Sequence, residues 1–342
     1  MTRLFLDRLT FLSLALTLLT GNLSAQQRAT ENRIDRSAAG QSQFIAETTT
    51  SHVPKNVAAI LQTIPDEMVI GLVVLDDRGK VMFHHNSQRE LPAASSVKSI
   101  LLLELFYRFS EELDQQPRPD IAAIVQNRQH PAIAHFQERS QQEIADELSN
   151  VSIRQLGSIL IDSKDPSGKT YSNIVYNGAA NVAIALLGGP AAATQKMQRR
   201  DAAFRGVHLR RYMLARRNVT GDNTATPLAL ATLFQTTIGK NPSDLTADTV
   251  QGITEILHAR DYPSGATLYA KGGALYSDPV TQVRSGHYSD QKRTMNYAIM
   301  ASQKLASQTS GKEQHDALQR LTLEIYTQLQ KSVKGETDRK RN

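Results

Sequence analysis

Extended segments lie near the two ends of this chain with a long helical stretch between them, and that order restricts the fold more than any other feature. Residues 68–75 are apolar and β-branched, Asp76-Asp77-Arg78-Gly79 is a turn, and residues 80–84 resume extended character, which predicts an N-terminal hairpin. From Ser95 to about residue 245, apolar residues recur at helical spacing in several stretches. Extended character returns at 267–270, 281–287 and 296–302, with Gly and Asp turns between. In 315–329, Leu318, Leu321, Ile325 and Leu329 fall at helical spacing. Two strands first, helices in the middle, then three strands and a last helix predict an α/β chain of the α+β type. Its expected core is one five-stranded antiparallel sheet flanked by helices.

The ends read differently from this body. Arg3 and Arg8 precede an apolar run over 9–20, and Leu23-Ser24-Ala25 is a small-residue cleavage site, so 1–25 is expected to be an export signal. The run is short for a membrane span, and an uncleaved anchor is the alternative. Residues 26–53, polar and rich in Gln, Thr, Ser and Ala, are expected to form a flexible leader, 54–330 the folded domain, and 331–342 a charged tail. Cleavage after Ala25 removes Arg3, Arg8 and Asp7 and lowers the formal charge from +6 to +5. That balance favours solubility. The basic residues are scattered outside a few Arg pairs, and no nucleic-acid module is recognisable, so a nucleic-acid partner is not expected. The chain has no Cys, which excludes disulfides, thiolate metal sites and Cys nucleophiles. His84, His85, His130 and His135 lack metal-ligand spacing, and no metal or organic cofactor is expected. A secreted or periplasmic monomer without stable membrane insertion is the expected form.

Three segments carry candidate chemistry. In Leu91-Pro92-Ala93-Ala94-Ser95-Ser96-Val97-Lys98, Pro92 and small residues lead into an apolar helix, with Ser95 at its start and Lys98 one turn later on the same face. A hydroxyl needs a base to attack a carbonyl at neutral pH, and a lysine serves if burial lowers its pKa. By itself the spacing is weak and describes a capping Ser with a solvent-facing Lys; the buried helix start is what points to chemistry. The second segment is Val175-Tyr176-Asn177-Gly178-Ala179-Ala180-Asn181, which opens an apolar helix ending at Gly188-Gly189. The third is Tyr269-Ala270-Lys271-Gly272-Gly273-Ala274 in the first late strand.

In this order and coarse spacing the chain resembles the class A β-lactamase and penicillin-binding family, whose motifs are S-x-x-K, S-D-N and K-T-G. Asn223-Thr224-Ala225-Thr226-Pro227 adds a likeness to the family's D-T-x-T-P segment. The resemblance spans roughly residues 54–330 and implies the β-lactamase/transpeptidase-like fold, in which an all-α subdomain packs on the sheet and the site lies in the cleft between. It also implies the roles. Ser95 would be the acylated nucleophile and Lys98 its base or proton relay. Asn177 would hold the substrate amide and steady Lys98. Lys271 would supply a positive field for the substrate carboxylate. Gly272 and Gly273 would admit substrate backbone, with Tyr176 beside it. The backbone N–H groups of Ser95 and Ala274 would form the oxyanion hole. Arg284 would be a further carboxylate anchor.

The pattern departs from the family at three places. A gapless match puts Val175 where the middle motif has its Ser, and Val cannot relay a proton. Tyr176 is adjacent, and Ser172 and Tyr171 precede it in a Tyr171-Ser172-Asn173 stretch like the Y-x-N variant of related enzymes. The turn Asp165-Pro166-Ser167-Gly168-Lys169 would be the insertion that brings Ser172 or Tyr171 in as relay. Residues 209–224 hold several Arg but only one acid, Asp222, and its position by the T-x-T-P-like segment suits no deacylating base. Gly272 replaces a hydroxyl residue, a loss of about 1.5–3 kcal/mol of carboxylate affinity. The implied activity is hydrolysis of a β-lactam or related amide through Ser95. Open alternatives are a D-Ala-D-Ala peptidase-like enzyme acting on peptidoglycan-derived peptides, and a weak penicillin-binding or non-catalytic protein.

Overall fold

The structure of the chain, a computed structural model, describes residues 51–217, 221–239, 245–290 and 293–339. The expected signal 1–25 and nearly all of the leader 26–53 lie outside the described residues. In chain order the elements are α1 (Lys55–Leu61), β1 (Met68–Leu75), β2 (Val81–His85), β3 (Leu91–Pro92), a 3₁₀ turn (Ala94–Val97), α2 (Lys98–Arg108), α3 (Pro119–Gln126), α4 (Glu138–Leu148), α5 (Ile153–Asp162), α6 (Asn173–Leu186) and α7 (Pro190–Arg200). They continue with β4 (Thr224–Ala225), α8 (Pro227–Phe234), α9 (Ala247–Leu257), β5 (His258–Asp261), β6 (Thr267–Ala270), β7 (Gly273–Leu275), β8 (Val280–Asp290), β9 (Arg293–Gln303) and α10 (Gly311–Arg339).

The main sheet is antiparallel in the order β2-β1-β9-β8-β6-β5, and β7 also pairs with β8. Seven strands are thus paired where five were expected. Two physical reasons account for the difference. β6 and β7 hold one register against β8, Ala270 opposite Gly286 and Gly273 opposite Val283, so they are two halves of one strand line interrupted at Lys271-Gly272. β5 is a short, fully exposed edge whose sequence, His-Ala-Arg-Asp, has no apolar alternation to betray it. β3, just before the stretch expected to be helical, and β4, inside it, form a separate two-stranded ribbon.

Two cores flank the sheet. On one face Leu318, Ile325, Leu329 and Val333 of α10 pack with Ile70, Leu72, Val74 and Ile299. These positions form one helical stripe, and the helix therefore runs on to Arg339, past Lys331 where a charged tail was expected. On the other face α2 is buried from Lys98 through Phe106, an all-round burial that marks the central helix of the helical region. Small residues let its neighbours approach. A Cβ at Gly157 of α5 would lie 2.6 Å from the Phe106 ring, and one at Gly178 of α6 would lie 2.9 Å from Ile144. The α5 start is fixed by a reciprocal cap between Ser152 and Gln155.

Candidate active site

Ser95 sits in the 3₁₀ turn that feeds directly into α2, so Lys98 is the first residue of the α-helix. The turn is pinned from several sides. Ser96 donates its hydroxyl to the Ala93 carbonyl at 2.6 Å, and Ser99 donates to Ser96 O at 2.7 Å. Ala94, immediately before Ser95, has φ +48°, a left-handed conformation that costs a non-glycine residue of order 1–3 kcal/mol. From the sheet side, β7 presses on the same turn. A Cβ on Gly273 would lie 2.8 Å from Ala93 O and Ser96 N and 2.9 Å from Ser95 N. Only a residue without a side chain allows that approach. Gly272 is less constrained, its Cβ position lying 3.2 Å from Val283 O.

The Lys98 side chain is fully buried. Its Nζ donates to Asn177 Oδ1 at 3.1 Å and to the Tyr176 carbonyl at 3.3 Å, and it lies 3.1 Å from the centroid of the Tyr176 ring. Removal from water, and secondarily the like charge of Lys271, hold its pKa well below the ordinary lysine value. Asn177 in turn is oriented by donating Nδ2 to Asn173 O and Oδ1 at 2.8 and 3.0 Å. Lys271 donates to the Ile161 carbonyl at 2.7 Å, near the C-terminal end of α5, and to the Tyr176 hydroxyl at 3.0 Å. Tyr176 therefore stands between the two lysines, its ring on one and its phenol oxygen on the other. Ser285 fixes the strand break by donating to Lys271 O at 2.7 Å.

A cleft of about 520 Å³ opens onto this group and is lined by Ser95, Tyr176, Asn177 and Ala274. Ser95, Lys98, Tyr176, Asn177, Lys271, Gly273 and Ala274 are thus brought together by three distant segments. Ser172, Tyr171 and Arg284 are not. The Ser172 hydroxyl caps α6 by accepting the Val175 N–H at 3.2 Å, and the residue is exposed. Tyr171 donates its phenol to Asp165 Oδ2 at 2.9 Å, closing the 165–169 turn. Its pKa is pushed up by burial and by that carboxylate. Neither residue lines the cleft, because the turn folds on itself instead of inward. Val175 faces the helical core at 1 % exposure. Arg284 points to the opposite face of the sheet, where its Nε donates to Thr322 Oγ1 of α10 at 3.2 Å. Strand alternation puts it there, since its neighbours Val283 and Ser285 take the cleft side.

Four cleft residues had no reading in the sequence. Arg211 and Arg217 reach the cleft, and both hold Asp222 Oδ1, at 2.8 and 3.1 Å. Asp222 lines the same cleft as Ser95, and its carboxylate is already engaged by two guanidinium groups. Leu214 and Tyr276 expose large apolar surface at the cleft wall. Leu214 has φ +64°, and the loop around it is pinned by Asn181 of α6, which accepts the Met213 N–H at 2.6 Å and donates to Met213 O at 3.1 Å. The only cue to that clamp was an Asn inside an apolar helix. Among the described residues no three His, Cys, Asp or Glu side chains group as a metal site.

No protein-family model matches the sequence, and no curated protein does. Solved structures do match. A variant of the last common ancestor of Gram-negative bacteria class A β-lactamase superposes with a TM-score of 0.56 at 17 % identity, covering 81 % of this chain and 98 % of that one. A class A β-lactamase from Mycobacterium abscessus gives 0.54 at 18 %, covering 80 % and 99 %. A β-lactamase from Burkholderia vietnamiensis gives 0.56 at 17 %, covering 81 % and 97 %. With its helical region, antiparallel sheet and terminal helix in this order, the chain has the class A β-lactamase fold.

Proposed function

We propose that the protein is an exported serine hydrolase that takes the carbonyl of a β-lactam, or of a related peptidoglycan-derived amide, onto Ser95 and releases it slowly. The observation that carries this reading is the environment of Lys98: a fully buried amine, one turn after a cleft-lining serine, held by Asn177 and depressed in pKa. Such an amine is neutral often enough to take the Ser95 proton as Oγ bonds to the carbonyl carbon. The developing oxyanion is received by the backbone N–H groups of Ser95 and Ala274 at the point where β7 meets the 3₁₀ turn. Lys271 adds positive potential next to the same cleft, which favours a substrate bearing a carboxylate. Collapse of the tetrahedral species breaks the C–N bond and leaves an ester on Ser95. Water then cleaves the ester, and here the site is poorly equipped, because Asp222 is held by Arg211 and Arg217. A long-lived acyl-enzyme, as in a penicillin-binding protein, follows from that pairing. The leader pattern over 1–25 supports a secreted or periplasmic location.

The test is labelling by a fluorescent penicillin. The wild-type chain is expected to carry one adduct, mapped to Ser95 by peptide mass, and Ser95→Ala to carry none. Equal labelling of both, or labelling of neither, would overturn the acylation reading. A parallel assay of nitrocefin against a D-Ala-D-Ala depsipeptide separates β-lactam from peptidase specificity.

A further inference from the structure

Single apolar side chains on a protein surface are ordinary, but two of the four large ones that the described residues expose, Leu214 and Tyr276, line the same cleft as Ser95. Tyr276 directly follows β7, and 56 % of it is open. The first turns of α10 hold it from behind. A Cβ on Gly311 would lie 1.7 Å from the Tyr276 carbonyl oxygen, so the two segments meet only because Gly311 has no side chain. One turn on, the His315 ring lies 4.4 Å from the Tyr276 ring, centroid to centroid, at an interplanar angle of 50°. His315 is itself buried and fixed. Gln282 donates Nε2 to Val283 O at 3.2 Å, so its Oε1 is left to accept from His315 Nε2 at 2.7 Å. His315 is not among the residues that line the cleft.

We propose that His315 of α10 is a positioning residue for specificity: by holding the Tyr276 ring at the cleft wall, it makes the site select amides whose acyl group carries an aromatic or other apolar side chain. The inference rests on the Ser95 acylation reading and names its substrate class. Lys271, Ala274 and Tyr276 succeed one another along the line of β7. A substrate with its carboxylate drawn to Lys271 and its carbonyl oxygen at the Ala274 N–H therefore has its acyl end running toward Tyr276. There an apolar group covers surface of Tyr276 and Leu214 that water otherwise wets. A charged acyl group is less well served, since Arg211 and Arg217 already share Asp222 and donate to backbone carbonyls. Ordering a mobile side chain on binding takes away part of the affinity that burial gives. His315 removes that loss beforehand, without touching substrate.

The test compares benzylpenicillin, whose acyl group ends in a phenyl ring, with 6-aminopenicillanic acid, which has no acyl group. The readout is the second-order rate of adduct formation on Ser95, followed by quenched-flow mass spectrometry. The wild type is expected to favour benzylpenicillin about tenfold or more, the scale of discrimination that one apolar contact surface supplies. His315→Ala is expected to lose most of that preference, with the loss in the half-saturating concentration of benzylpenicillin. His315→Phe keeps a ring under Tyr276 but gives up the bond to Gln282, and is expected to hold the preference within about threefold of wild type. A residue needed only for the packing of α10 would not separate these two variants. Tyr276→Ala, at an exposed position, should lose the preference to the same extent as His315→Ala, and the double variant should lose nothing further, because the one residue acts through the other. An unchanged preference in Tyr276→Ala, a preference in His315→Phe as low as in Tyr276→Ala, or losses that simply add in the double variant would each overturn the proposal. A wild-type chain with no adduct on Ser95 sinks this inference together with the acylation reading; a wild type that takes both penicillins onto Ser95 at equal rates sinks this one alone.

Discussion

A lysine with no access to water is unstable as a cation, and in this fold that instability is measurable apart from any activity. Burial and Lys271 push the Lys98 pKa down, so between its folded value and the unfolded value near 10.4 the unfolded chain binds a proton that the folded chain does not. Stability contributed at this position therefore rises with pH through that window, by at most about 1.4 kcal/mol per pH unit, and is flat above it. Urea unfolding of wild type and Lys98→Met from pH 7 to 10 isolates the effect, and the wild type is expected to gain on the variant as pH increases. A constant difference would mean that Lys98 folds as an ammonium and cannot take the Ser95 proton. Ser95 and Lys98 stood out by their spacing at the start of an apolar helix, and Asn177 and Lys271 only through the resembled family's motifs. The choice between Val175 and Tyr176 was not legible. Neighbouring helical residues point about 100° apart, so an assignment one residue off exchanges a core side chain for a cleft one. The Arg211–Asp222–Arg217 cluster was illegible for another reason, since three residues of one loop meet through its path and not through any period.

Among the elements, the contact of β7 with the 3₁₀ turn decides whether the site exists. Gly273 brings a strand backbone against the backbone atoms of Ala93, Ser95 and Ser96, and none of these is the flexible end of a side chain that could swing away. Gly273→Ala is therefore expected to force strand and turn apart, costing about 1–3 kcal/mol in unfolding free energy as overpacking does. It should also cut the proposed Ser95 acylation severely by spoiling the position of both proposed oxyanion donors. Gly272→Ala meets only a carbonyl at 3.2 Å and should be milder on both counts. If the two variants acylate alike, the close approach is not what builds the oxyanion hole. The long strands were readable because β1, β8 and β9 are apolar enough to need two buried faces or a regular alternation. β5 and the final turns of α10 were not, because exposed charged residues mask an edge strand in one case and a sequence rich in charged residues surrounds the Val333 stripe position in the other.

At the scale of the whole molecule, the helical region supplies Ser95, Lys98, Tyr176 and Asn177, the sheet supplies Lys271 and Ala274, and residues between 211 and 217 with Asp222 and Asn223 line the remaining wall. The two halves of the proposed acyl-transfer cycle would draw on these parts unequally. Acylation would need only the first two, whose turn is fixed by Ala94 and Gly273 and whose amine is held by Asn177. Deacylation needs a base aimed at a water, and the loop offers one carboxylate whose Oδ1 is shared by two guanidinium groups, each itself anchored, Arg211 to the Ala215 carbonyl and Arg217 to Asp278 O. That oxygen is taken up by the ion pairs, and freeing it to hold a water would cost them. The cycle is therefore expected to stall after its first half. Intact-mass measurement after mixing with a stoichiometric β-lactam should find the adduct on nearly every molecule, and its decay should give a turnover below about 1 per second, under the range common for enzymes. Rapid nitrocefin turnover with no adduct to be trapped would require a base that the pairing of Asp222 does not leave available, and the division of labour between sheet, helices and loop would have to be redrawn.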